Sequence, residues 1–172
     1  MPHTQELGDT VGAQMVRALR LVHAAIRNDL AVCQELAADA SAGVSTVQVR
    51  ARVAALRTTG TLWQLRTTCL HTCRFVHEHH GHEDHLLFPL LRRASPTMAP
   101  VLDRLEADHR EVSRLLEETE DAVGGLDGDD PSRARARLIR ALRSLGGTLI
   151  AHLELEEEAI SPTLLGWTAW PP

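Results

Sequence analysis

The chain has 172 residues, 44% hydrophobic and 24% charged, with a net charge of −5. That is enough apolar material for one buried core, and the acidic balance excludes a general nucleic-acid binder, whose footprint is basic. No apolar run approaches the ~20 residues of a membrane span. The opening MPHTQELGD lacks the basic start and apolar stretch of a signal peptide, so none is expected. Three cysteines are too few for a disulfide framework and point to a cytoplasmic location.

The predicted elements are all helices, because apolar residues step by three and four and never alternate over a useful length. The first helix has the seam Val16, Leu19, His23, Ile26, Leu30, Cys33 and Ala37, with Asp9 or Thr10 as cap and a stop at Gly43. Ser45 caps a second helical segment that passes Gly60 and runs to about Pro89. The third follows Pro96 and Pro100, with its seam at Leu102, Leu105, His109, Val112 and Leu116, and Gly124 and Gly125 end it. Asp130-Pro131 starts the fourth, which carries Leu138, Leu142, Leu145, Leu149, His152 and Leu155 and reaches Pro162. Four long helices with short polar turns favour an antiparallel up-down four-helix bundle, one all-α domain over residues 1–172. The bundle takes about residues 11–165, and Trp167 and Trp170 lie in a tail at 166–172 expected to fold back on it.

The chain repeats itself once. His79-His80-Gly81-His82-Glu83 with Phe88-Pro89-Leu90-Leu91 aligns without gaps to His152-Leu153-Glu154-Leu155-Glu156 with Ser161-Pro162-Thr163-Leu164. Upstream, Leu19, His23, Ile26 and Leu30 align with Leu105, His109, Val112 and Leu116. Each half is a helix pair with one lone seam histidine and one His-x-x-x-Glu, a pattern that predicts a pseudo-twofold bundle with the two sets of polar residues facing each other.

Histidine is the densest functional signal: seven of the 10 lie between His71 and His109. Residues four apart share a helix face, so His79 projects with Glu83 and His152 with Glu156. A lone seam histidine is most often a hydrogen-bonded core residue, and a single His-x-x-x-Glu is common on surfaces. Two such pairs, matched by a repeat and joined by His23 and His109 at equivalent seam positions, are a poor coincidence. Burying four imidazoles and two carboxylates together is costly without partners, and a pair of metal ions supplies them, with the carboxylates able to bridge.

The order His, His-x-x-x-Glu, His, His-x-x-x-Glu resembles the hemerythrin-like, or HHE cation-binding, family. HEHHGHEDHLLFPLL and HLELEEEAISPTLL are similar to its two signature segments, and the histidines of RLVHAAI and EADHREV to its other ligand positions. The resemblance implies a non-heme diiron centre, two iron ions with an oxo or hydroxo bridge, ligated by His23, His79, Glu83, His109, His152 and Glu156. It also implies dioxygen, hydrogen peroxide or nitric oxide as the small ligand. The family's oxygen carriers have a further histidine four residues after the third-helix histidine, where this chain has Ser113. Six protein ligands would leave a coordination position open, which favours reaction with a small oxidant over simple oxygen storage. The apolar seam around Ile26, Phe75, Leu87, Val112 and Leu149 would limit access. Competing functions are a diiron oxidase or peroxidase acting on an organic substrate and a redox or oxygen sensor module; a zinc or plain cation store is weaker.

His80 and Asp84 form another pair four apart, but distance to proline matches Glu83, not Asp84, with Glu156. His80 is therefore expected outside the ligand set, at the surface or hydrogen-bonded to a ligand. His77 and His85 are expected in solvent, His82 lies to one side of His79, and His71 reads as a satisfied core histidine. Cys69 and Cys73 share a face and read as small buried residues rather than a redox pair.

Overall fold

The structure, a computed structural model, describes residues 10–41, 61–127 and 130–171. The expected start of the second helix at Ser45, its passage of Gly60, the cap at Asp9 and the stop at Gly43 lie outside the described residues. Among the described residues the regular structure is helical: α1 (Val11–Ser41), α2 (Thr61–His82), α3 (Phe88–Ala94), α4 (Ala99–Gly124) and α5 (Pro131–Leu165). A π-helical turn, Glu83–Leu87, joins α2 to α3, and short 3-10 turns occupy Pro96–Met98 and Gly125–Asp127. No described helix is long and apolar enough to cross a membrane.

Local chemistry accounts for the ends. Thr10 Oγ1 accepts a hydrogen bond from the Ala13 amide at 3.2 Å, and Asp130 Oδ1 accepts one from the Arg133 amide at 3.0 Å. Each satisfies a first-turn amide that the helix itself cannot. The fourth long helix does not stop at Pro162 but runs three residues further, to Leu165. At Phe88 the amide donates to the Glu83 carbonyl five residues back, the π spacing. Pro89, next in line, has no amide to give, so the wider turn loses no bond there.

The helices close into a ring: α1 packs on α2 and α5, and α4 packs on the same two. Their buried faces form two apolar clusters. One holds Ile26 and Leu30 of α1, Cys73 and Val76 of α2, Val112 and Leu116 of α4, and Leu138 to Leu153 of α5. The other holds Val16 and Leu19, Phe88 and Leu91, Leu102 and Leu105, and Ile160 and Leu164. Along α1 and α4 the second cluster comes first; along α2–α3 and α5 that order is reversed. Between the clusters every long helix contributes buried polar residues: His23, His80 with Glu83, His109, and His152 with Glu156.

Where α1 starts, Gly12 donates its amide to the Trp167 carbonyl at 2.9 Å, and a Cβ there would lie 1.7 Å from the Leu164 carbonyl oxygen. Only glycine permits this approach. Trp167 thus folds back on the second cluster, as expected of the tail, whereas Trp170 remains exposed.

Candidate metal centre

The polar layer is built from matched parts. His23 of α1 and His79 of α2 bring their Nε2 atoms to 3.1 Å, and His109 of α4 and His152 of α5 do the same at 3.1 Å. Glu83 Oε1 stands 3.2 Å from His79 Nε2, and its Oε2 stands 3.6 Å from His109 Nε2. Glu156 Oε2 lies 3.3 Å from His23 Nε2 and 3.7 Å from His152 Nε2. Both carboxylates therefore reach both histidine pairs, and the six residues singled out from the sequence stand in one layer.

The outer ring nitrogens fix which atoms face inward. His23 Nδ1 donates to Glu157 Oε1 at 2.9 Å, and Arg27 donates to the same oxygen at 2.9 Å. Burial works against the Glu157 charge, but these hydrogen bonds outweigh it and hold the carboxyl below its ordinary value. An ionised carboxylate only accepts, so His23 carries a hydrogen on Nδ1 and turns its Nε2 toward the layer. His109 Nδ1 likewise donates to Asp84 Oδ1 at 2.7 Å. Asp84 and Glu157 each follow a glutamate of the layer directly and are equivalent in the repeat. Such outer carboxylates orient imidazoles toward a metal.

The layer is too dry to stand on protein contacts alone. Both oxygens of Glu83 and of Glu156, and His152 Nδ1, are buried without a hydrogen-bond partner. Burial, then the charge of Glu156, pushes the Glu83 carboxyl up to about 10. Burial also lowers His79 to about 4, helped by His23, and lowers His152 to about 4 against the pull of Glu156. Burial thus favours neutral imidazoles at His79 and His152 and leaves the Glu83 and Glu156 carboxyls short of positive charge, the condition in which a cation is the missing partner. Spacing agrees: two nitrogens bound at right angles to one ion at about 2.1 Å stand about 3.0 Å apart.

Candidate ligand atoms fall into two groups, each within 4.8 Å of one another: His23, His79, Glu83 and Glu156 in one, and His80, His109 and His152 in the other. Of the two places expected for His80, the surface or beside a ligand, its burial excludes the surface. It is 3% exposed, and its ring stacks on His109 with centroids 4.0 Å apart and planes at 8°. The sequence did contain the signal: the gapless repeat pairs His80 with Leu153, a fully buried core residue. His71, expected in the core, is exposed, and His77 is half-buried; His82 and His85 are exposed, with His85 Nδ1 donating to the Gly81 carbonyl at 2.8 Å.

The hemerythrin HHE cation-binding domain model matches residues 14–164. The chain belongs to the hemerythrin HHE family. No curated protein and no solved structure matches it. In this hemerythrin-family chain, Ser113, four residues after His109, is half-buried in a groove of about 370 Å³ whose lining includes His80, Asp84 and His109. The groove brings solvent to the edge of the polar layer between α2 and α4. Cys33, Cys69 and Cys73 are free and buried in the first cluster, where burial raises the Cys73 thiol to about 12, so it stays protonated and unreactive.

Proposed function

We propose that the polar layer holds a pair of iron ions and that the protein binds or reacts with a small oxidant there: dioxygen, hydrogen peroxide or nitric oxide. His23 and His79 would hold one ion, His109 and His152 the other, and Glu83 and Glu156 would bridge them. The observation that carries this reading is the placement of two buried, unpartnered carboxylates between two pairs of imidazoles. When bound, an iron pair supplies one electron from each ion to the oxidant.

The protein's own residues do the rest. Glu157 and Asp84 hold the hydrogens of His23 and His109 on the outer nitrogens, so the inner lone pairs stay available. Ile26, Val112 and Leu149 on one side and Phe88 and Leu105 on the other exclude water and bulky reductants from the layer. The alternating order of the clusters along the helices and the equivalence of Asp84 and Glu157 support an antiparallel bundle with an approximate twofold through the layer. Three free, buried cysteines accord with a reducing cytoplasm.

The groove beside Ser113 favours a second reading, oxidase or peroxidase turnover on an organic substrate. One experiment tests both: iron content and the absorption spectrum of purified protein, before and after anaerobic reduction and return to oxygen. Two irons per chain, with charge-transfer absorption that bleaches on reduction and returns with oxygen, is the expected result. Turnover faster than free iron with a defined organic reductant would select the oxidase reading. A colourless, zinc-loaded protein after iron-replete growth would overturn both.

A further inference from the structure

We propose that His80 is itself a metal ligand, a third imidazole on the ion held by His109 and His152, reaching in from α2 where the equivalent α5 position carries Leu153. The proposal rests on the iron-pair reading above and adds a residue that neither the motif nor the repeat assigns to the site.

Three observations carry it. His80 is 3% exposed, and both of its ring nitrogens are buried with no hydrogen-bond partner. A satisfied core histidine would have its hydrogen accepted and its lone pair filled; here the lone pair faces no donor, and a cation is the partner that would use it. Second, one ring nitrogen lies within 4.8 Å of ligand nitrogens of both His109 and His152, while His79, its chain neighbour, belongs to the other group; because the His80 ring now stacks on His109 with planes at 8°, ligation requires it to turn about its side chain so that its lone pair meets theirs at one ion. Adjacent residues are about 100° apart on a helix, so one histidine can serve each side of the layer. Third, the chain has Ser113, not histidine, four residues after His109, and Ser113 and His80 line the same groove. The ligand absent from α4 is thus replaced from α2, across the groove, and the donor set becomes five imidazoles and two carboxylates. That set replaces the six-ligand count implied by the resemblance.

The test uses His80→Leu, which copies the α5 residue, and His80→Ala, which leaves room for a free imidazole. Each full-length chain, loaded anaerobically with ferrous iron, is challenged with increasing chelator, and retained iron per chain is measured. Wild type is expected to keep two irons, and both variants to release one of them at a chelator concentration at least about tenfold lower, a loss typical of disturbed ligation. Added imidazole should restore the second iron to His80→Ala. Metal-free His80→Leu should melt no earlier than metal-free wild type, because leucine removes an unpartnered buried imidazole; a structural role for His80 would lower that melting point. If both variants keep two irons at the wild-type chelator concentration, with unchanged absorption, His80 is not a ligand and the iron-pair reading stands. If wild type itself never holds two irons, the iron-pair reading and this one both fall.

Discussion

On α2, His79 and His80 both enter the polar layer and a π turn begins at Glu83; on α5, His152 enters it, Leu153 joins the apolar core, and the helix runs straight through Pro162. The two segments align without a gap, prolines included, so the proline permits a wider turn without requiring one. The halves agree where orientation is at stake: each lone seam histidine gives its outer hydrogen to the carboxylate that follows a glutamate of the layer. They differ at the residue beside the first histidine of each motif, an imidazole in one half and a leucine in the other. A repeat can thus preserve the frame of a site while letting one half add a donor to it.

Breaking the shared part should have the largest effect. Glu156→Ala removes a carboxylate that touches both histidine pairs, so both irons are expected to be lost, read as iron per chain after desalting. Retention of both irons would show that Glu156 does not bridge. Next come the outer carboxylates. Asp84→Ala should weaken the His109 ion and Glu157→Ala the His23 ion, each by about 10–100-fold in affinity. Equal losses of both irons in either variant would contradict that division.

The unshared position offers a smaller effect of definite sign. Leu153→His puts an imidazole into the first cluster and is expected to cost about 1–3 kcal/mol of metal-free stability in urea. It should bind no third ion, since the halves are not interchangeable at this place.

A gradual effect, spread over several pH units, is expected in the pH dependence of the metal-free chain. Folded metal-free chain keeps a proton on Glu83 up to about 10, which an ordinary glutamate releases near 4.5. Between pH ~6.5 and ~9 the native state therefore holds the extra proton, and stability should fall as pH rises, by up to about 1.4 kcal/mol per unit. Below 6.5 the unfolded chain takes up protons that His79 and His152 refuse until about 4, so acid also destabilises. Urea midpoints of the metal-free protein should peak near pH ~6, and loading iron should abolish the alkaline decline. A metal-free midpoint that rises from pH 6.5 to 9 would show that Glu83 is ionised in the metal-free fold.

The sequence exposed His23 and His109 because each interrupts an apolar series stepping by three and four, and a single histidine in such a place is conspicuous. His79, Glu83, His152 and Glu156 were legible from spacing, since four residues make one helical face. His80 was hidden by its neighbour: both histidines could not belong to one face, and the motif claimed the first. Its burial could have been read only from Leu153 across the repeat. The π turn left no signal, because equivalent prolines accompany both a π turn and an unbroken helix. His71 was misjudged because it carries neither a repeat partner nor a motif.

The division of the core into two apolar clusters with a charged layer between them bears on how the chain acquires its structure. The first cluster draws on α1, α2, α4 and α5 and the second on α1, α3, α4 and α5, and each excludes water without metal, so each can collapse independently while the layer between them stays loosely closed. Amide exchange in the metal-free protein should then show slow protection around Leu149 and around Leu105, with faster opening at the turns that carry His109 and His152. The last event of maturation would be the arrival of the ions, which would fasten two already folded ends into one body.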